Sequence, residues 1–125
     1  MPKLANADQS WKTNVFPRTK SGEIDVIRPG VPINAESQDE LAAALEPCVV
    51  SDSPRVVLDL SRVEQFDSVG LEEIVDQRER FLQLGGDLKL AQPNGVCQDI
   101  LRITGTSEFI DVYVNVESAV KSFSQ

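Results

Sequence analysis

The stretch that most constrains the fold runs from Arg55 to Ala91, RVVLDLSRVEQFDSVGLEEIVDQRERFLQLGGDLKLA. It opens on a short, valine-rich, almost continuously apolar run, RVVLDL, the pattern of a strand buried on both faces. Leu71, Ile74, Val75, Phe81 and Leu82 then recur at helical spacing, and the pair Gly85-Gly86 supplies a carboxy-terminal stop. DLKLA follows as a second short strand. Strand, long helix and strand in this order call for a parallel pair joined by a crossover helix, so the fold class is α/β with a mostly parallel sheet.

The flanking sequence extends this unit in both directions. Trp11, Val15 and Phe16 before TKSG, and Ile24, Val26 and Ile27 after it, predict a hairpin with Gly22 at its turn. Pro17 restricts the first strand to a sheet edge. After Asn34, the spacing of Leu41, Ala44, Leu45 and Cys48 predicts a helix. Its start is either a Ser37/Glu40 capping box or Asn34, and Pro47 should end or kink it. PNGVCQDILRITG predicts a further helix with Val96, Ile100, Leu101 and Ile103 on its apolar side, Pro93 in its first turn and Gly105 at its end. EFIDVYVNV reads as a last strand and ESAVKSF as a closing helix. The expectation is one domain over residues 11–125, behind a loose polar tail at residues 1–10. Trp11 and Phe16 are expected to form a flap over the sheet edge.

Composition removes whole classes of function. A net charge of −8 argues against nucleic acid as partner, because neutralising a phosphate backbone needs clustered Lys and Arg. The chain has no histidine, so the commonest general base and metal ligand are missing. Cys48 and Cys97 lie far apart, without metal-ligand spacing, and read as buried thiols. No cofactor or metal is expected. Asp59 and Asp67 form a conceivable carboxylate pair, but without a histidine or a further acid at motif spacing acid–base chemistry has little to work with. No run approaches the ~18 apolar residues of a membrane span, nor does the amino-terminal stretch resemble a signal peptide, so a cytoplasmic protein is expected.

What remains is FDSVGLEEI, where a strand gives way to the long helix. Asp67 and Ser68 are both good amino-terminal caps. A serine at a helix start can also receive a phosphate. The positive end of the helix dipole would favour the added charge, while Asp67, Glu72 and Glu73 would oppose it. The acidic stretches AESQDE and EEIVDQRE read either as solvated helix faces or as partner-docking surfaces.

VVLDLS, DSVGL, the paired glycines, and LRITG at the end of the third helix, in this order and spacing, resemble the STAS domain of bacterial anti-sigma factor antagonists. The resemblance covers about residues 24–123, with residues 11–23 as an amino-terminal hairpin extension. It implies a small α/β domain with about four helices and an antiparallel amino-terminal edge strand. It also implies a binding module rather than an enzyme, without cofactor, and a monomer or weak dimer. Its partner would be an anti-sigma factor with serine kinase activity, and a serine phosphatase would reset it. Carried over by position, Ser68 is the phosphoacceptor, and Asn34, Asp67, Val69, Gly70, Leu71 and Glu72 share the partner-binding surface. Val69 stands where the family commonly has a second hydroxyl, Glu72 where it has a glycine, and Val31 where a glycine precedes the first helix. These departures keep a second reading open, a STAS scaffold that is not phosphorylated and serves a lipid-transport or stress-sensing complex.

Overall fold

The computed structural model describes residues 15–50 and 52–124. Within them β1 (Arg18–Ser21) and β2 (Ile24–Ile27) pair antiparallel, with Ser21 opposite Ile24. Gly22 and Glu23 alone form the turn, and Gly22 takes φ +64°, a value that favours glycine. The first strand therefore lies later than TKSG suggested, since Thr19, Lys20 and Ser21 belong to β1 itself. Turn chemistry, not apolarity, sets this register. Every residue of β1 is exposed, so its side chains carry no burial signal. Trp11 and the expected tail fall outside the described residues. Phe16 is buried in the main core and is not a flap over the sheet edge.

The remaining strands add in parallel. β3 (Arg55–Asp59) joins β2, β4 (Asp87–Ala91) joins β3, and β5 (Val112–Tyr113) joins β4, giving the sheet order β1-β2-β3-β4-β5. Three helices connect consecutive parallel strands: α1 (Gln38–Leu45), α2 (Ser68–Gln83) and α3 (Gly95–Ile103). Crossovers of one hand between adjacent strands place all three on the same side of the sheet. Leu41 and Leu45, then Leu71, Ile74 and Phe81, then Cys97 and Leu101, pack there against Ile27, Val56, Leu58, Leu88 and Leu90. The alternate residues Ile24, Val26, Val57 and Ala91 face the other way and are covered by α4 (Val116–Ser122) through Ala119, Val116 and Val120. β3 is thus buried on both faces, as its sequence indicated. Lys89 points to the α4 side, where its ammonium bonds Ser122 Oγ at 2.7 Å and lies 4.3 Å from the Phe123 ring centre.

Local expectations fared unevenly. α1 ends at Leu45 and continues as a 3-10 turn through Glu46–Val50, in line with Pro47. The capping box does not form. Ser37 Oγ turns back to donate to the Pro32 carbonyl at 2.7 Å, and Asn34 Oδ1 instead accepts from the amides of Glu36 (2.9 Å) and Ser37 (3.2 Å). α3 starts after Pro93, with Asn94 as its cap. Only part of its predicted apolar side is buried: Leu101 is in the core, while Val96 is 53% and Ile103 74% exposed. The last strand shrinks from nine expected residues to two. Gly105 at φ +77° leads into a 3-10 turn at Thr106–Glu108, which consumes the beginning of EFIDVYVNV before pairing can start.

Candidate functional site

The site lies where the loop after β3 feeds α2. Asp67 has extended backbone geometry, and its Oδ1 accepts from the Gly70 amide at 2.9 Å, so Asp67 is the cap. Ser68 is the first residue of α2. It is exposed, and its hydroxyl enters no hydrogen bond among the described residues. Val69 and Glu72 are exposed beside it, whereas Gly70 and Leu71 are buried. The helix start therefore turns Ser68, Val69 and Glu72 outward and anchors itself through the two residues between. The free first-turn amides and the positive end of the dipole of a sixteen-residue helix lie next to the Ser68 hydroxyl.

Gly70 explains how Asn34 comes to this place. A Cβ on Gly70 would collide with the Ile33 carbonyl and come within 3.0 Å of the Asn34 amide. The chain that the glycine admits is thus the protein's own approach to α1. Ile33 pairs with Phe66 as an isolated parallel bridge, its amide donating to the Gln65 carbonyl at 3.2 Å and its carbonyl accepting from the Asp67 amide at 3.3 Å. Asn34, Asp67, Ser68, Val69, Gly70, Leu71 and Glu72 are consequently neighbours at one end of the sheet. The Asn34 side chain itself is occupied in capping the turn before α1.

One contributor escaped the sequence reading. Asn94 Oδ1 caps α3 through the Cys97 amide at 2.8 Å, while its Nδ2 donates to the carbonyls of Val63 (3.2 Å) and Glu64 (3.1 Å). It ties the α3 start to the loop that ends in Asp67. The signal was present as Asn-Gly directly after Pro93, a cap followed by a helix start. Asp59, in contrast, is built into the frame: Oδ2 accepts from Arg28 Nε at 3.0 Å and Oδ1 from the Ser61 amide at 3.0 Å.

The two cysteines are buried as expected. Burial, reinforced by the nearby Asp25 carboxylate, pushes the Cys48 thiol up to about 11, and burial alone raises Cys97. Both thiols remain protonated at neutral pH, which suits core residues and not nucleophiles. Among the described residues, no helix is long and apolar enough to cross a membrane.

Comparison with known proteins gives this arrangement a context. The family model of the STAS domain matches residues 16–119. A protein of Bordetella bronchiseptica assigned as the anti-sigma factor antagonist BtrV is 28% identical over 91 residues, which span 73% of this chain and 78% of that protein. Among solved structures, one assigned as an anti-sigma factor antagonist from Thermotoga maritima superposes with a TM-score of 0.83 at 21% identity, covering 90% of this chain and 97% of that one. The anti-sigma factor antagonist SpoIIAA in its unphosphorylated form gives a TM-score of 0.71 at 13% identity, covering 87% and 96%. At these identities the structural likeness is one of fold.

Proposed function

The chain belongs to the STAS domain family, and from that premise we propose that it is an anti-sigma factor antagonist whose binding is switched by phosphorylation of Ser68. The observation that carries the reading is the division of labour at the start of α2. Asp67 caps the helix, so the exposed Ser68 hydroxyl is not needed for folding and is open to a kinase. The unphosphorylated protein would bind an anti-sigma factor that is itself a serine kinase, releasing a sigma factor in the cytoplasm. The surface would be Ser68, Val69 and Glu72 with Asn34 beside them, set in place by Asp67, Gly70 and Leu71. The name of the Bordetella relative and the unphosphorylated state recorded for SpoIIAA support this assignment.

A phosphate on Ser68 would add roughly −1.5 to −2 charges at a helix start that accommodates an anion. Asp67 and Glu72 next to it would make the modified surface strongly acidic. A partner fitted to the neutral serine would then meet repulsion and a bulkier group, while the fold stayed intact. Mass-spectrometric mapping after incubation with the cognate anti-sigma factor and ATP tests the assignment. A single phosphate on Ser68 is expected, and modification at another residue, or none, would overturn it.

The exposed Val69 and Glu72 favour one alternative, a STAS scaffold that is never phosphorylated. On that reading Ser68→Asp leaves partner binding unchanged, whereas exchanging surface residues of α2 abolishes it.

A further inference from the structure

Residues 60–66, which lead from β3 to the start of α2, form no helix or strand apart from the single bridge at Phe66. On the α1 side this loop meets Ile33, whose amide donates to the Gln65 carbonyl and whose carbonyl accepts from the Asp67 amide. On the other side it is tied to the start of α3. Asn94 Nδ2 donates to the carbonyls of Val63 and Glu64, and the buried Cys97 Sγ lies 3.6 Å from the same Val63 carbonyl. The Asn94 side chain thus does two things at once, because its Oδ1 also accepts from the Cys97 amide at 2.8 Å. Turned over, the amide would set its oxygen against two carbonyls and its NH2 against a backbone N–H, so one orientation alone satisfies all three bonds. Capping needs only the oxygen, which Asp, Ser or Thr would supply as well. Among the common caps, asparagine alone brings an NH2 group beside its acceptor, and here that group holds the loop.

We propose that Asn94 is a positioning residue for Ser68: it holds the loop that delivers the first turn of α2 to the place where a partner meets it. The connection is short and continuous. It runs from Asn94 to the carbonyls of Val63 and Glu64, through Gln65 and Phe66 to Ile33, and from Ile33 back to the Asp67 amide. Asp67 caps α2 with its side chain, so a shift of the loop moves cap and serine together. Without the Asn94 donors, the Val63 carbonyl keeps the Cys97 thiol, a weak donor, and the Glu64 carbonyl turns to water. A looser loop weakens association, because the partner must then order it on contact. The effect on a partner rests on the proposed function; the hold on the loop does not.

Asn94→Asp and Asn94→Ser both keep a cap for α3 and remove the paired donors, the serine without adding charge. Amide hydrogen exchange of the full chain reads the hold on the loop. In both variants the Ile33 and Asp67 amides should exchange several-fold faster relative to the Leu90 amide in the sheet, while the Cys97 amide keeps its protection. Steady-state phosphorylation by the cognate anti-sigma factor reads the effect on a partner. KM should rise several-fold with kcat little changed, whereas a residue that only stabilised the fold would leave both unchanged once folded protein is counted. Wild-type protein that is not phosphorylated overturns the proposed function and leaves exchange to judge the hold. Unchanged exchange at Ile33 and Asp67 overturns the hold itself, and an unchanged KM in both variants overturns the positioning of Ser68.

Discussion

Asp67 alone takes the capping role that the sequence left undivided between it and Ser68. Both residue types cap helices, and only the geometry assigns the cap to Asp67 and frees Ser68. Asp67→Ala should therefore cost about 1 kcal/mol of stability in urea unfolding, while Asp67→Asn, an equally good cap, should cost only a few tenths. Ser68→Ala should be close to neutral by the same measurement. Cys48 yields a prediction of different kind. Its folded value of about 11 lies above the ordinary 9.0, so the stability it contributes is complete below about pH 9 and is lost as pH rises toward 11. Unfolding curves measured across that window should weaken with pH, and Cys48→Ala should make the decline shallower. Thiol reagents should label neither cysteine of the native protein at neutral pH at an appreciable rate.

Helices and strands were legible to the extent that burial imposed a period on them. β3 and α2 announced themselves because one is apolar on both faces and the other carries a stripe over four turns. α2 also stops as its glycines suggested: the Gly86 amide reaches the Phe81 carbonyl at 2.9 Å and the Gly85 amide the Leu82 carbonyl at 3.0 Å, with Gly85 at φ +83°. β1 was misplaced because an exposed edge strand of Arg-Thr-Lys-Ser has no burial period to read. β5 was overextended because Phe109 and Ile110 stay in the turn and bend that follow the 3-10 segment, and at the other end Val114 and Asn115 bend away and Val116 opens α4. The capping box failed because Ser37 Oγ accepts from the Asn34 amide at 3.0 Å and donates to the Pro32 carbonyl, five residues back, an arrangement that the Ser-x-x-Glu spacing does not record. Close approach between elements was likewise invisible to periodicity, and Gly70 and Gly95 test it as a pair. Gly70→Ala forces a methyl into the Ile33 carbonyl and should cost about 1–3 kcal/mol or more. Gly95→Ala meets open space in the first turn of α3 and should be neutral or stabilising by about 0.5 kcal/mol.

At the scale of the molecule, the described residues form one sheet with three helices on one face and one on the other, and this brings Asn34 and the start of α2 together at a single end. The family resemblance located Ser68 and its neighbours, and the tertiary structure supplied what no spacing contains, the seating of the Ile33–Asn34 segment on Gly70 and the tie from Asn94 to the loop before Asp67. Phe81 lies fully buried in the core between α2 and the sheet, so Phe81→Ala should lose about 4 kcal/mol and serve as a reference for global unfolding. Calorimetric titration of the anti-sigma factor with unmodified and Ser68-phosphorylated protein tests the proposed switch most directly. Affinity at least tenfold weaker is expected for the phosphorylated form, a difference of about 1.4 kcal/mol or more. Equal affinities for the two forms would contradict it.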